Sequence, residues 1–122
     1  MEPESETAKL YQALKEKQVD ACILGPLNYV RAHHEFGARA VASDGPAYHS
    51  VIAVRSESDI QQVEDLAGRS FAFGYRQSTS SYLFPRLLMK KVRLEEEDLG
   101  EVGFMGSHQS VADAILDGRY EA

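Results

Sequence analysis

The chain has 122 residues, with 13 Lys and Arg against 19 Asp and Glu, and a formal net charge of −6. With 43% apolar and 26% charged residues the composition is globular, which excludes intrinsic disorder, and no apolar run approaches the roughly 18 residues of a membrane-spanning helix. A single cysteine, Cys22, excludes an internal disulfide framework and a multi-cysteine metal site, and the acidic balance without a basic stripe argues against nucleic acid as a partner.

The first ten residues, MEPESETAKL, lack the basic start and apolar stretch of a secretory signal, so the chain is expected to be cytosolic or to begin after its signal. Residues 7–17 are rich in helix formers, with Leu10, Ala13 and Leu14 on one face. Residues 19–24 are a short apolar run that suits a buried strand. Gly25-Pro26 breaks it, Pro26 suits the first turn of a helix over 27–35, and Gly37 ends that helix. A short strand is expected at 38–42, a turn at 43–46, and a β-branched strand at 48–55. A short helix over 58–66, closed by Gly68, leads to a buried strand at 70–74.

Residues 75–81 form a polar loop, and a helix runs from it to about Lys91 with Leu83, Leu87 and Leu88 inward. Pro85 fits that helix if its first turn starts near Ser81. Residues 94–99 read as an acidic, exposed face, and 101–105 as a strand. The last helix follows Gly106-Ser107-His108, with Val111, Ala112, Ile115 and Leu116 on one face and Gly118 as its cap. The ending DGRYEA reads as the approach to another strand. Helices and strands alternating at this spacing predict an α/β layer structure with a largely parallel sheet. Ligands in such sheets bind at the carboxyl ends of strands beside helix N-termini.

Two polar loops fall at those ends. Ser78-Thr79-Ser80-Ser81 puts four hydroxyls at a helix start, where free backbone N–H groups and their partial positive charge favour an oxyanion. The plain alternative is one N-cap and three loop residues. His108 stands at or near the next helix start, which favours a neutral imidazole donor; a solvent-facing cap is its alternative. A Ser/His pair also raises nucleophilic catalysis, but residues 74–81 lack the G-x-S-x-G elbow that a serine hydrolase of that kind uses. His33 and His34 diverge on a helix and read as surface or packing residues, and Cys22 as a small buried hydrophobe, so no metal and no cofactor are expected.

Several segments, in order, resemble motifs of the phosphate/phosphite/phosphonate-binding proteins, the extracytoplasmic substrate-binding components of ABC transporters. Val19-Asp20 through Gly25-Pro26 resembles "VD(x)4GP", and Tyr48-His49-Ser50-Val51-Ile52-Ala53-Val54 their "YxSVxxV" strand. Asp65-Leu66-Ala67-Gly68 through Phe73-Gly74 is similar to "DLxGK(x)3FG", Ser78-Thr79-Ser80-Ser81-Tyr82-Leu83-Phe84-Pro85 to "STSGYLxP", and Gly106-Ser107-His108 to the start of "GSHxxV". Ala114-Ile115-Leu116-Asp117-Gly118 resembles "AvxxG".

The resemblance implies a type II periplasmic-binding fold, with mostly parallel sheets, flanking helices and two lobes that close over a ligand. It implies that residues 1–56 are a partial first lobe with the crossover strand and 57–122 most of the second. The chain then corresponds to the middle of such a protein, whose incomplete sheets would leave exposed edges for self-association. The implied ligand is a small oxyanion (phosphonate, phosphite or phosphate), held by Ser78, Thr79, Ser80 and His108, with Tyr48 a further candidate. The implied partner is an ABC transporter permease, the location periplasmic or extracytoplasmic, and the protein not an enzyme. A ligand-sensing domain of the same fold, from a signalling protein, is the alternative. Three positions depart from the pattern. Leu24 fills a position where some members carry an aromatic that contacts ligand. Ser81 stands where the family usually has Gly, and Arg76 precedes the hydroxyl run, where it is expected to face solvent, although turned inward it would strengthen anion binding.

Overall fold

The computed structural model describes residues 5–45 and 49–122. Helix α1 (Glu6–Lys15) starts at Ser5, whose side chain accepts the Ala8 N–H. Helix α2 (Pro26–Phe36) begins at Pro26, as expected, and closes on Gly37 in the left-handed conformation (φ 74°). The two helices pack through Tyr11, which meets the Phe36 ring edge-on at 5.6 Å and lies under the Arg31 guanidinium at 5.0 Å.

Strands β1 (Phe71–Phe73) and β2 (Val102–Phe104) pair in parallel, with Phe73 opposite Phe104. The pairing runs on past both strands, since Gly106 N–H donates to Gly74 O at 2.7 Å. On the other edge of β1, Ala122 N–H donates to Ser70 O and Ala72 N–H donates to Ala122 O at 2.8 Å, the parallel pattern of a further strand. The approach to a strand read from DGRYEA is therefore observed as backbone pairing. This mixed helix and parallel-sheet arrangement is an α/β structure.

Helix α3 (Phe84–Lys91) and helix α4 (His108–Leu116) follow the two strands. The core gathers Leu66, Phe71, Phe73, Met89, Leu94 and Leu99 around β1. The rings of Phe71, Tyr82 and Phe104 all lie within 5.5 Å of the Phe73 centroid, between 4.6 and 5.5 Å.

Several expectations are corrected. Among the described residues, no strand forms at 19–24, 38–42 or 49–55. A strand needs a ladder partner, and none among the described residues pairs with these segments; Ile23 is 89% exposed. Residues 49–55 nevertheless keep the period of two, since Ile52 and Val54 pack on the core while Val51 is 79% exposed. The expected helix at 58–66 shrinks to one 3₁₀ turn, Val63–Leu66. Local acceptors compete with the helix there, since Ser58 Oγ takes the Ile60 N–H and Asp65 Oδ2 takes those of Gln61 and Gln62. Leu94 and Leu99, read as exposed, are core residues at either end of the acidic 3₁₀ turn Glu96–Asp98. Met89 and Pro85 are buried in α3 where Leu87 was expected, and Ala114 and Ile115 in α4 where Leu116 was expected.

Candidate functional site

The hydroxyl run opens with a widened turn. Over Thr79–Leu83 the backbone forms a π-type turn, in which Leu83 N–H donates to Ser78 O and Phe84 N–H to Thr79 O. Pro85 then sits in the first turn of α3 and offers no N–H. The carbonyls of Ser80 and Ser81 are thereby released from the helix. Ser50 Oγ–H donates to Ser80 O, and Gly74 N–H donates to Ser81 O at 3.3 Å. Pro85 is thus accommodated by a turn that pins the loop to the end of β1 and to residue 50. Such π turns recur at functional sites.

Each hydroxyl of the run has a different place. Ser78 is buried, and its Oγ accepts the Ser81 N–H at 3.0 Å, the N-cap role. Thr79 Oγ1 accepts the Leu27 N–H at 3.1 Å, capping α2 from 52 residues away because Gly25 has no side chain for that work. Ser80 Oγ stands 3.5 Å from His108 Nε2. Ser81 Oγ is buried and has no hydrogen-bond partner among the described residues. It rests against Gly74, where an added Cβ would lie 2.2 Å from it.

The second loop is built on Gly106 (φ 82°), a conformation that favours glycine, directly after β2. Ser107 caps α4 by accepting the Ser110 N–H at 3.1 Å, which leaves His108 as the first helical residue. Since Gly74 and Gly106 are hydrogen-bonded to each other, the two loops leave the sheet side by side. Ser80, Ser81 and His108 line one cavity of about 320 Å³, with Ser50, His49 and an apolar wall that includes Phe71 and Ile115.

Ser80 and His108 are therefore brought together at the cavity. Ser78 and Thr79 are not among the residues that line it, and their oxygens accept the Ser81 and Leu27 N–H groups. Tyr48 lies outside the described residues. Ser50 was not singled out from the sequence as a site residue. Its only signal was a place in the "YxSVxxV" segment, because a bond to Ser80 O depends on the tertiary approach of two distant segments.

Arg76 is drawn across the aromatic face beside the loop. Its guanidinium lies 4.2 Å above the Phe104 ring, and Nη1–H donates to Tyr82 Oη at 2.8 Å. Tyr82 O–H donates in turn to Glu96, which also faces Arg86 at 3.5 Å. Burial, then the bond to Glu96, pushes the Tyr82 phenol up from its ordinary value. The acidic run is thus more than a solvated face, since Glu96 anchors this network. His33 and His34 are exposed on α2, and His33 Nδ1 lies 2.9 Å from Ala38 O. Among the described residues no three His, Cys, Asp or Glu side chains gather as a metal site, and no helix is long and apolar enough to cross a membrane.

Two hydroxyl-bearing loops at neighbouring strand ends and a histidine at a helix start are a donor arrangement suited to an anion. A family model described as "ABC transporter, phosphonate, periplasmic substrate-binding protein" matches residues 1–122. The chain belongs to this family. Membership in the phosphonate-binding family implies a small anion ligand, an ABC transporter permease as partner and an extracytoplasmic place of work. Substrate-binding proteins of this kind are transport components rather than enzymes.

Proposed function

We propose that this chain binds the oxyanion head of a phosphonate, phosphite or phosphate, as part of the receptor that delivers it to an ABC permease. Residues 1–56 then belong to one lobe and the crossover, 57–122 make up most of the other, and the ligand is held in the cleft between two lobes. The observation that carries the reading is the approach of Ser80 Oγ to His108 Nε2 at 3.5 Å on the wall of one cavity. That separation is long for a direct bond and suits two donors converging on one anionic oxygen.

The donors are neutral hydroxyls and an imidazole at helix starts, so an acidic chain of net charge −6 offers a locally positive site. Ser78 and Thr79 serve the same site by holding the loop, since each accepts a backbone N–H. Tyr48 is assigned to the same ligand as a further donor. Binding of this kind is reversible and leaves the ligand chemically unchanged.

Calorimetric titration with phosphate, phosphite, methylphosphonate and 2-aminoethylphosphonate tests the reading. At least one of them is expected to bind. Ser80→Ala and His108→Ala are each expected to weaken that binding by about 1–3 kcal/mol, the worth of a hydrogen bond to a charged group. Unchanged affinity in both variants would remove the site assignment.

A further inference from the structure

We infer that Ser81 is a ligand-responsive hydroxyl, lodged against Gly74 in this structure and rotating onto the oxyanion of a bound ligand. The inference rests on the oxyanion-binding reading above and adds a residue and a motion to it.

Three observations carry it. First, Ser81 Oγ is buried without a hydrogen-bond partner among the described residues, whereas the hydroxyls of Ser78, Thr79 and Ser80 each face a polar atom. A buried hydroxyl left unpaired is destabilising, and native structures keep few of them without a functional reason. Second, the residue itself lines the cavity shared with Ser80 and His108, although its oxygen is sealed from solvent. Third, the oxygen is lodged against Gly74, where even a methyl group would collide with it.

Serine occupies all three staggered χ1 positions at modest cost. Leaving the Gly74 contact gives up no hydrogen bond, so rotation has little to oppose it. The backbone need not move, because the Ser81 N–H and C=O are held by Ser78 Oγ and the Gly74 N–H. An anionic oxygen near Ser80 and His108 supplies the acceptor that the hydroxyl lacks. Binding then gains one charge-assisted hydrogen bond and also removes an unpaired buried group.

Ser81→Ala tests this with two readouts of opposite sign. Affinity for the best-binding of the four anions, measured by calorimetry on the full chain, is expected to fall about tenfold or more. The urea midpoint of the ligand-free variant is expected to stay level or rise, because the unpaired hydroxyl is gone. In the unsubstituted chain, the Ser81 χ1 couplings measured by NMR are expected to change as anion is added.

Unchanged affinity in Ser81→Ala, alongside weakened binding in His108→Ala, overturns the role of Ser81 and leaves the site standing. A lowered midpoint with unchanged affinity assigns the hydroxyl a structural part and likewise overturns the inference. Absence of binding by the unsubstituted chain to all four anions overturns this inference and the reading beneath it together.

Discussion

Residues 19–24 and residues 71–73 carry the same kind of local signal, a short apolar run bounded by turn residues, yet they end differently. Phe71–Phe73 pairs with β2 on one edge and with Ala122 on the other, and Phe73 is 1% exposed. Residues 19–24 pair with nothing described, and Ile23 stands in solvent. The contrast extends to the regions around them. Over 5–45 the buried apolar side chains are Tyr11 and Ala32, at a two-helix contact, whereas the principal cluster lies wholly among residues 60–122. An apolar run nominates a strand, but its hydrogen bonds must come from another segment, so the strand exists only where a second segment presents an edge.

The largest test of this contrast is truncation in each run. Phe73→Ala removes the ring at the centre of the aromatic cluster and is expected to cost about 3–5 kcal/mol by urea denaturation. Ile23→Ala is expected to change stability by less than about 0.5 kcal/mol, as exposed positions do. Comparable losses in the two variants would erase the distinction between the regions.

Next in size is the seam between them. Thr79→Val keeps the shape of the side chain but leaves the Leu27 N–H without its acceptor, at an expected cost of about 1 kcal/mol. Amide exchange is expected to quicken at the start of α2 and stay slow in β1. Unaltered exchange at α2 would show that Thr79 does not cap it.

The smallest effect is electrostatic and lies wholly in the second region. The Ser70 backbone N–H, and after it the Arg69 guanidinium, hold the Glu121 carboxyl below the usual carboxylate range. A depressed carboxyl contributes its stability above its unfolded pKa of about 4.3 and loses it as the pH falls through the lower folded value. Glu121→Gln is therefore expected to lower the unfolding free energy at pH 7 by less than about 1 kcal/mol, since the pair is partly solvated. The difference from the parent is expected to shrink on acidification below pH 4; a difference that grows there would contradict the assigned pairing.

Much of the candidate site was legible because its logic is local. Four hydroxyls before a helix, Gly106 before Ser107-His108 and the placement of both loops after strands are all patterns within ten residues. Pro26 and Gly37 bound α2 for equally local reasons, a fixed φ at one end and a left-handed residue at the other. The division of labour within the run was not legible. Nothing in Ser-Thr-Ser-Ser distinguishes the cap (Ser78) from the residue bonded to α2 (Thr79), the one facing His108 (Ser80) or the one left unpaired (Ser81). Those roles depend on where residues 27, 74 and 108 arrive in space. The burial of Leu94 and Leu99 was hidden in the same way, since an acidic run outweighs its two apolar ends until a core stands behind them.

By itself, then, the sequence determined the α/β class, the helix ends, the two loops that could hold an anion and the family motifs. These rest on backbone preference, side-chain chemistry and short spacing. Tertiary structure decided which apolar runs became strands, which leucines became core, and which hydroxyls face the cavity. Those outcomes turn on hydrogen bonds and contacts between segments tens of residues apart, and no local pattern contains the partner.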